Sequence, residues 1–211
     1  MKRNHLVLPI IVAGLVLIAW FAASRHIRHQ TSHQAMLVSD GGGSAIKVHQ
    51  SDEDAPQSLV NKPAPGFTLV DLNGKKVSLI DYRGKAVLVN FWATTCGPCK
   101  VEIPWFVDFH NQYASQGFEI LGLSYDSLDD EDKAAAAKDK EEIRAFIAGM
   151  HMNYPVVTGG ESVAQAYGGV DGLPSSFFID RRGVVVAQTM GLHSREEIEG
   201  DIKKALATGG A

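Results

Sequence analysis

Phe91-Trp92-Ala93-Thr94-Thr95-Cys96-Gly97-Pro98-Cys99-Lys100 sets two thiols three positions apart at what reads as a strand-to-helix junction. Before it, residues 86–92 (AVLVNFW) form a continuous apolar run of strand length, the pattern of a strand buried on both faces. After it, the pattern predicts a helix from about Cys96 to Gln116, stopped by Gly117. A second apolar strand follows at residues 118–125 (FEILGLSY). Strand, helix and strand make a βαβ unit, whose crossover is expected to be right-handed.

The junction suits redox chemistry for three reasons. Unpaired N–H groups and the macrodipole at a helix N-terminus stabilise a thiolate, which lowers the pKa of the first cysteine. Pro98 lacks an N–H and fits the first turn, where none is needed. Two intervening residues keep Cys99 within bonding distance of Cys96. A Cys-x-x-Cys is also half of a zinc site, but the chain has only two cysteines and no second pair. A purely structural bridge over so short a loop constrains the unfolded chain little. The redox reading is therefore preferred over both.

Working outward, residues 63–211 read as one domain without internal repeats. Residues 67–70 and 77–79 are short strands joined at Asn73-Gly74, which signals a two-residue hairpin turn. The charged residues 126–142, running into amphipathic 143–147, predict one or two helices with a solvated face. A strand at 154–157, a short helix at 162–167 and an antiparallel hairpin at 176–180 and 184–189 follow. Ser194-Arg195-Glu196-Glu197 is a capping-box pattern that opens a last helix through about Leu206. The fold class is α/β, a mixed central sheet flanked by helices.

The N-terminal third has a different character. Residues 1–5 read as a cytoplasmic N-terminus. Residues 6–23 (LVLPIIVAGLVLIAWFAA) are 18 residues without a charge, near the minimum for a bilayer-spanning anchor. The rival reading is a cleaved signal peptide, for which Ala22-Ala23-Ser24 is a poor site. Either one sends the rest of the chain out of the cytoplasm. Residues 24–62 read as a flexible linker, able to reach about 30–40 Å as a coil. Lys2 and Arg3 before the run, with Arg25 and Arg28 after it, give weak support to an inside N-terminus. The net charge of −4, without a basic cluster in the folded part, gives no footprint for nucleic acid.

With these residues in view, WATTCGPC followed by Lys100-Val101-Glu102-Ile103-Pro104 resembles the thioredoxin superfamily, in its membrane-anchored TlpA/ResA-like branch. The resemblance covers residues 63–206. Asn90, six before Cys96, stands where ordinary thioredoxin has a buried aspartate, and Glu102 completes the branch's CxxCxxExP pattern. The N-terminal hairpin is the branch's usual addition. Gly172-Leu173-Pro174-Ser175-Ser176-Phe177 resembles the loop in which the family's proline is cis and faces the CxxC. Thr95 departs from the branch, which usually has an aromatic residue there.

The resemblance implies a thioredoxin-like fold and dithiol exchange through Cys96 and Cys99, a redox-active disulfide, with no cofactor or metal. Glu102, one helical turn past Cys99, is placed to take the resolving thiol's proton; a solvated helix glutamate is the competing reading. Leu173 and Pro174 would meet the substrate, and Trp92, packed beside the site, is assigned to substrate binding with them. The implied partners are a disulfide-containing substrate protein and a membrane thiol oxidoreductase that donates electrons. The implied role is an extracytoplasmic reductant at the bacterial inner membrane, as in cytochrome c maturation or copper-site assembly. A peroxiredoxin would need Pro and Thr or Ser at the positions of Val89 and Ala93. A copper metallochaperone could use Met150-His151-Met152 as soft ligands, yet this chain's cysteine spacing is one residue short of those relatives.

Overall fold

The structure is a computed structural model that describes residues 58–126, 128 and 133–209. The expected anchor and most of the expected linker lie outside the described residues. Among the described residues no helix is long and apolar enough to cross a membrane.

Strand β3 (Ala86–Trp92) is the axis of the domain, with all seven residues buried. Its side chains alternate between two apolar layers. Ala86, Leu88 and Trp92 enter one, with Ile103, Phe106 and Phe109 of helix α1 (Gly97–Tyr113). Val87, Val89 and Phe91 enter the other, against Leu121, Tyr167 and Phe177. Burial on both faces explains why the strand is apolar at every position but Asn90, since each such side chain contributes about 1.5–3 kcal/mol.

Among the described residues the sheet around it has seven strands, in the order β2-β1-β5-β4-β3-β6-β7. They are β1 (Thr68–Asp71), β2 (Lys76–Ser78), β4 (Phe118–Ser124), β5 (Val156–Thr158), β6 (Ser175–Ile179) and β7 (Val185–Met190). Strand β3 pairs parallel to β4 and antiparallel to β6, which confirms the mixed sheet. Helix α2 (Lys133–Gly149) follows β4, and the short α3 (Glu161–Ala164) follows β5. The sheet ends in the β6–β7 hairpin, and α4 (Arg195–Ala207) packs back on the layer of α1.

Local signals hold in most places. Gly117 ends the turn after α1 in the left-handed region, at φ 80°. The Ser194 hydroxyl accepts the Glu197 N–H and the Glu197 side chain accepts the Ser194 N–H, closing the expected capping box. Among the described residues the charged segment yields one helix, α2, which buries Ile143 and packs Phe146 and Ile147 on the core. Met150 and Met152 pack there too.

Two details differ from the sequence reading. The first hairpin closes through three residues rather than two. Asp71 N–H bonds Lys75 O, Gly74 N–H bonds Asp71 O, and Gly74 takes φ 82°. The Asp71 side chain captures the N–H groups of Asn73 and Lys75, which favours the longer loop. The chain also docks before Pro63. Asn61 N–H bonds Val185 O, Val185 N–H bonds Lys62 O and Leu59 N–H bonds the Gln188 side chain. Residues 59–62, assigned to the linker from composition, thus cover the edge of β7.

Strand β4 passes close under Trp92. A Cβ at Gly122 would stand 3.0 Å from Trp92 Nε1 and 3.3 Å from Tyr154 Cε2. Gly122→Ala should therefore lower stability by about 1–3 kcal/mol through overpacking. Urea unfolding checks this, and the tryptophan emission of the folded protein should change with it.

Candidate active site

The end of β3 delivers Cys96 to the start of α1. The Cys96 Sγ accepts the Cys99 N–H at 3.1 Å and is the N-cap, a place where unpaired N–H groups favour negative charge. The two sulfurs are joined in a disulfide. Their surroundings differ. Cys96 is half-buried, whereas Cys99 is 1% exposed. Of the pair, Cys96 is the one that offers its sulfur to a partner in solution.

Glu102 is 2% exposed, so the solvated reading is excluded. It lies on the buried stripe of α1 with Cys99, Ile103 and Phe106. Its Oε1 accepts the backbone N–H of His193, in the loop between β7 and α4. Burial pushes its pKa above the ordinary value; the His193 N–H and the imidazole charge oppose this without cancelling it. A carboxyl raised in this way is matched to proton transfer nearer neutrality.

Pro174 lies at the start of β6. Phe91 pairs with Ser175, so the next position toward the motif sets Pro174 beside Trp92 at the end of β3. The Leu173–Pro174 peptide is cis, as the resemblance implies. Among the described residues the Leu173 N–H and C=O make no hydrogen bond, whereas Pro174 O accepts from Gly191. Leu173 and Cys96 are partly buried against the same apolar layer. Exposed Met190 packs close to Gly172, and exposed Leu192 precedes His193, so the loops around Glu102 and Pro174 carry an apolar rim.

Trp92 is 0% exposed, so it presents no surface to a substrate. It stacks on Phe146 of α2 at 5.0 Å, and Lys100 Nζ lies 5.8 Å from the same ring. The substrate-contact role assigned to Trp92 gives way to support from beneath, because its indole is sealed between sheet and α2. Asn90 is also buried, and its Nδ2 bonds Ser176 Oγ across the β3–β6 pair.

Some site residues were not read from the sequence. Asp126, grouped with the solvated charges, instead accepts hydrogen bonds from Thr94 and Ser124. An aspartate just past the strand parallel to the motif strand was the available signal. His193 had none, as its link to Glu102 spans 91 residues. A cavity of 740 Å³ between the first hairpin and the end of α2 includes none of Cys96, Cys99 and Glu102 in its lining.

The raised pKa of Glu102 has a sign that can be measured. Between its ordinary and raised values the folded state binds more protons than the unfolded one, so stability falls as pH rises through that window. Glu102→Gln retains an acceptor for His193 and removes the titration. Urea unfolding should show the wild type losing stability relative to Glu102→Gln as pH rises from the ordinary glutamate value through the raised one. A difference constant with pH would contradict the raised pKa.

Comparison with known proteins agrees with this geometry. Residues 60–188 match the AhpC/TSA family model. The chain is 36% identical over 152 residues to the thiol-disulfide oxidoreductase ResA of Bacillus anthracis, covering 72% of this chain and 81% of that one. It is 35% identical over 141 residues to ResA of Geobacillus thermodenitrificans, covering 66% and 74%. Among solved structures it is similar to a thioredoxin-family thiol:disulfide interchange protein of Chlorobium tepidum, at TM-score 0.59 and 30% identity. That match covers 71% of this chain and 99% of the other. A thiol:disulfide interchange protein from Bacteroides sp. matches at TM-score 0.58 and 27% identity, covering 71% and 91%. With a Cys-x-x-Cys pair capping the helix of a thioredoxin-like fold, the chain belongs to the ResA family of thiol-disulfide oxidoreductases.

Proposed function

We propose that this thiol-disulfide oxidoreductase reduces disulfides in protein substrates outside the cytoplasm, with Cys96 as nucleophile, Cys99 as resolving thiol and Glu102 as the group that accepts the resolving thiol's proton. The observation that carries the reading is the asymmetry of the pair: Cys96 reaches the surface at the helix N-cap, while Cys99 is sealed beside a buried carboxyl.

The reaction follows from that asymmetry. The reduced enzyme's Cys96 thiolate attacks a substrate disulfide, forming a Cys96–substrate bond and releasing the other substrate sulfur as a thiolate. Cys99 then attacks Cys96 Sγ. Its sulfhydryl proton passes to the Glu102 carboxylate as the Cys96–substrate bond breaks and the second substrate thiolate departs. Two electrons have moved to the substrate, and Cys96–Cys99 is left oxidised. A donor dithiol restores the reduced pair by the same exchange in reverse, which makes a membrane thiol oxidoreductase a fitting electron source. The free backbone groups of Leu173, beside Pro174, suit an extended substrate segment, with Met190 and Leu192 as apolar neighbours.

The direction rests on Gly97-Pro98, shared with thioredoxin, whose potential is about −270 mV. Reduction of apocytochrome c or of copper-site cysteines is the pathway role supported by the branch resemblance. A peroxidase is disfavoured, since Val89 and Ala93 replace the residues of a peroxidatic motif. The uncharged run at 6–23 supports an anchor in the bacterial inner membrane with the domain on its outer side.

Four measurements test the reading. Cys99→Ser should accumulate mixed disulfides with substrate proteins and Cys96→Ser should not, while Glu102→Gln should slow exchange about tenfold. Equilibration against glutathione should give a reducing couple; a value near about −120 mV would reverse the assigned direction. Fractionation should leave the full chain in the membrane, and a soluble mature form beginning near Arg25 would exclude the anchor.

A further inference from the structure

Asp126 turns its carboxylate back toward the cysteine motif. Its Oδ1 and Oδ2 each lie 3.1 Å from the Thr94 N, Oδ1 accepts the Thr94 hydroxyl at 2.7 Å, and Oδ2 accepts the Ser124 hydroxyl at 2.9 Å. The Asp126 N–H in turn donates to Ser124 Oγ at 3.2 Å. One residue earlier, Tyr125 N–H donates to Trp92 O at 2.7 Å, and across the turn Cys96 N–H donates to Ala93 O at 3.1 Å. The segment between β3 and α1 is thus tied to the end of β4 at Trp92 and again at Thr94, two residues before the nucleophile. Hydrogen bonds to a carboxylate are roughly twice as strong as those between neutral groups, so the second tie is the stiffer one.

In the oxidised protein the Cys96–Cys99 bond itself holds Cys96 against the helix. That restraint is gone once the pair is reduced, and the sulfur must still lie at the N-terminus of α1 to be stabilised as a thiolate. We infer that Asp126 is a positioning residue for thiol–disulfide exchange: by clamping Thr94 it holds the reduced Cys96 at the helix N-terminus. The inference rests on the exchange reaction proposed above and adds to it a residue outside the Cys-x-x-Cys helix. Removing the carboxylate also removes a negative charge from the neighbourhood of the thiol, which by itself would favour the thiolate. The cleaner probe is therefore the hydroxyl partner, whose loss breaks the strongest bond of the clamp and changes no charge.

The test measures iodoacetamide alkylation of Cys96 in the reduced full-length chain against pH, by peptide-resolved mass spectrometry, together with the rate of insulin disulfide reduction. Thr94→Val should move the alkylation midpoint to higher pH and slow both reactions at neutral pH about threefold to tenfold. Thr94→Ser, which keeps the hydroxyl, should restore both. In an Asp126→Ala background, Thr94→Val should have no further effect, since the bond is already lost. Urea unfolding of each variant separates a folding defect from a site effect. A Thr94→Val profile matching the wild type, or an equal penalty with and without Asp126, would overturn the inference. Alkylation needs no substrate disulfide. A wild-type protein that reduces no insulin would therefore count against the proposed direction of reaction, while the alkylation profile would still decide the role of Asp126.

Discussion

The burial of β3 on both faces is the constraint on which the site depends. With every residue from Ala86 to Trp92 enclosed, the strand is fixed between two apolar layers and in register with β4 and β6. A one-residue slip would exchange the contents of those layers and carry Asn90 away from Ser176. Its C-terminal end therefore leaves the sheet at one place, and Cys96 follows four residues later as the cap of α1. The same end meets Pro174 through the β3–β6 pairing and Tyr125 through β4.

Around that fixed point the chain divides polar duties. Cys96 is left accessible, whereas Cys99 and Glu102 share the buried stripe of α1. Enclosing a carboxyl costs free energy in its ionised form, and a single backbone N–H from His193 offsets only part of that. The cost appears as the raised pKa, which the proton-acceptor role proposed for Glu102 would use. Stability and chemistry pull in opposite directions here.

Helix α2 explains why a long charged segment follows the second parallel strand. Its exposed side carries ion pairs such as Lys138 with Glu142, worth little on their own. Its inner side seals Trp92 beneath Phe146 and places that ring near Lys100. The segment is thus a solvated helix outside and a lid on the motif strand inside.

Much of the fold could be read along the chain because its signals are local or periodic. The apolar runs of β3 and β4, Gly117 after α1 and the capping box at Ser194 each depend on residues close in sequence. The Cys-x-x-Cys spacing placed the redox pair in the same way, and the chain's resemblance to known relatives added Glu102 and Pro174. The burial of Glu102 was not legible, because a glutamate in a helix reads the same whether its face meets water or the β7–α4 loop. Trp92 looked available to a substrate until α2 was seen to cover it. Asp126 looked like one charge among many until β4 brought it beside Thr94, and residues 59–62 looked like linker until the edge of β7 gave their backbone a partner. Sequence alone determined where strands and helices form and which thiols can pair, since propensity, periodicity and short spacing act within a few residues. Only the tertiary structure decided which polar groups are buried and what each one bonds, because those energies depend on contacts between residues far apart in the chain.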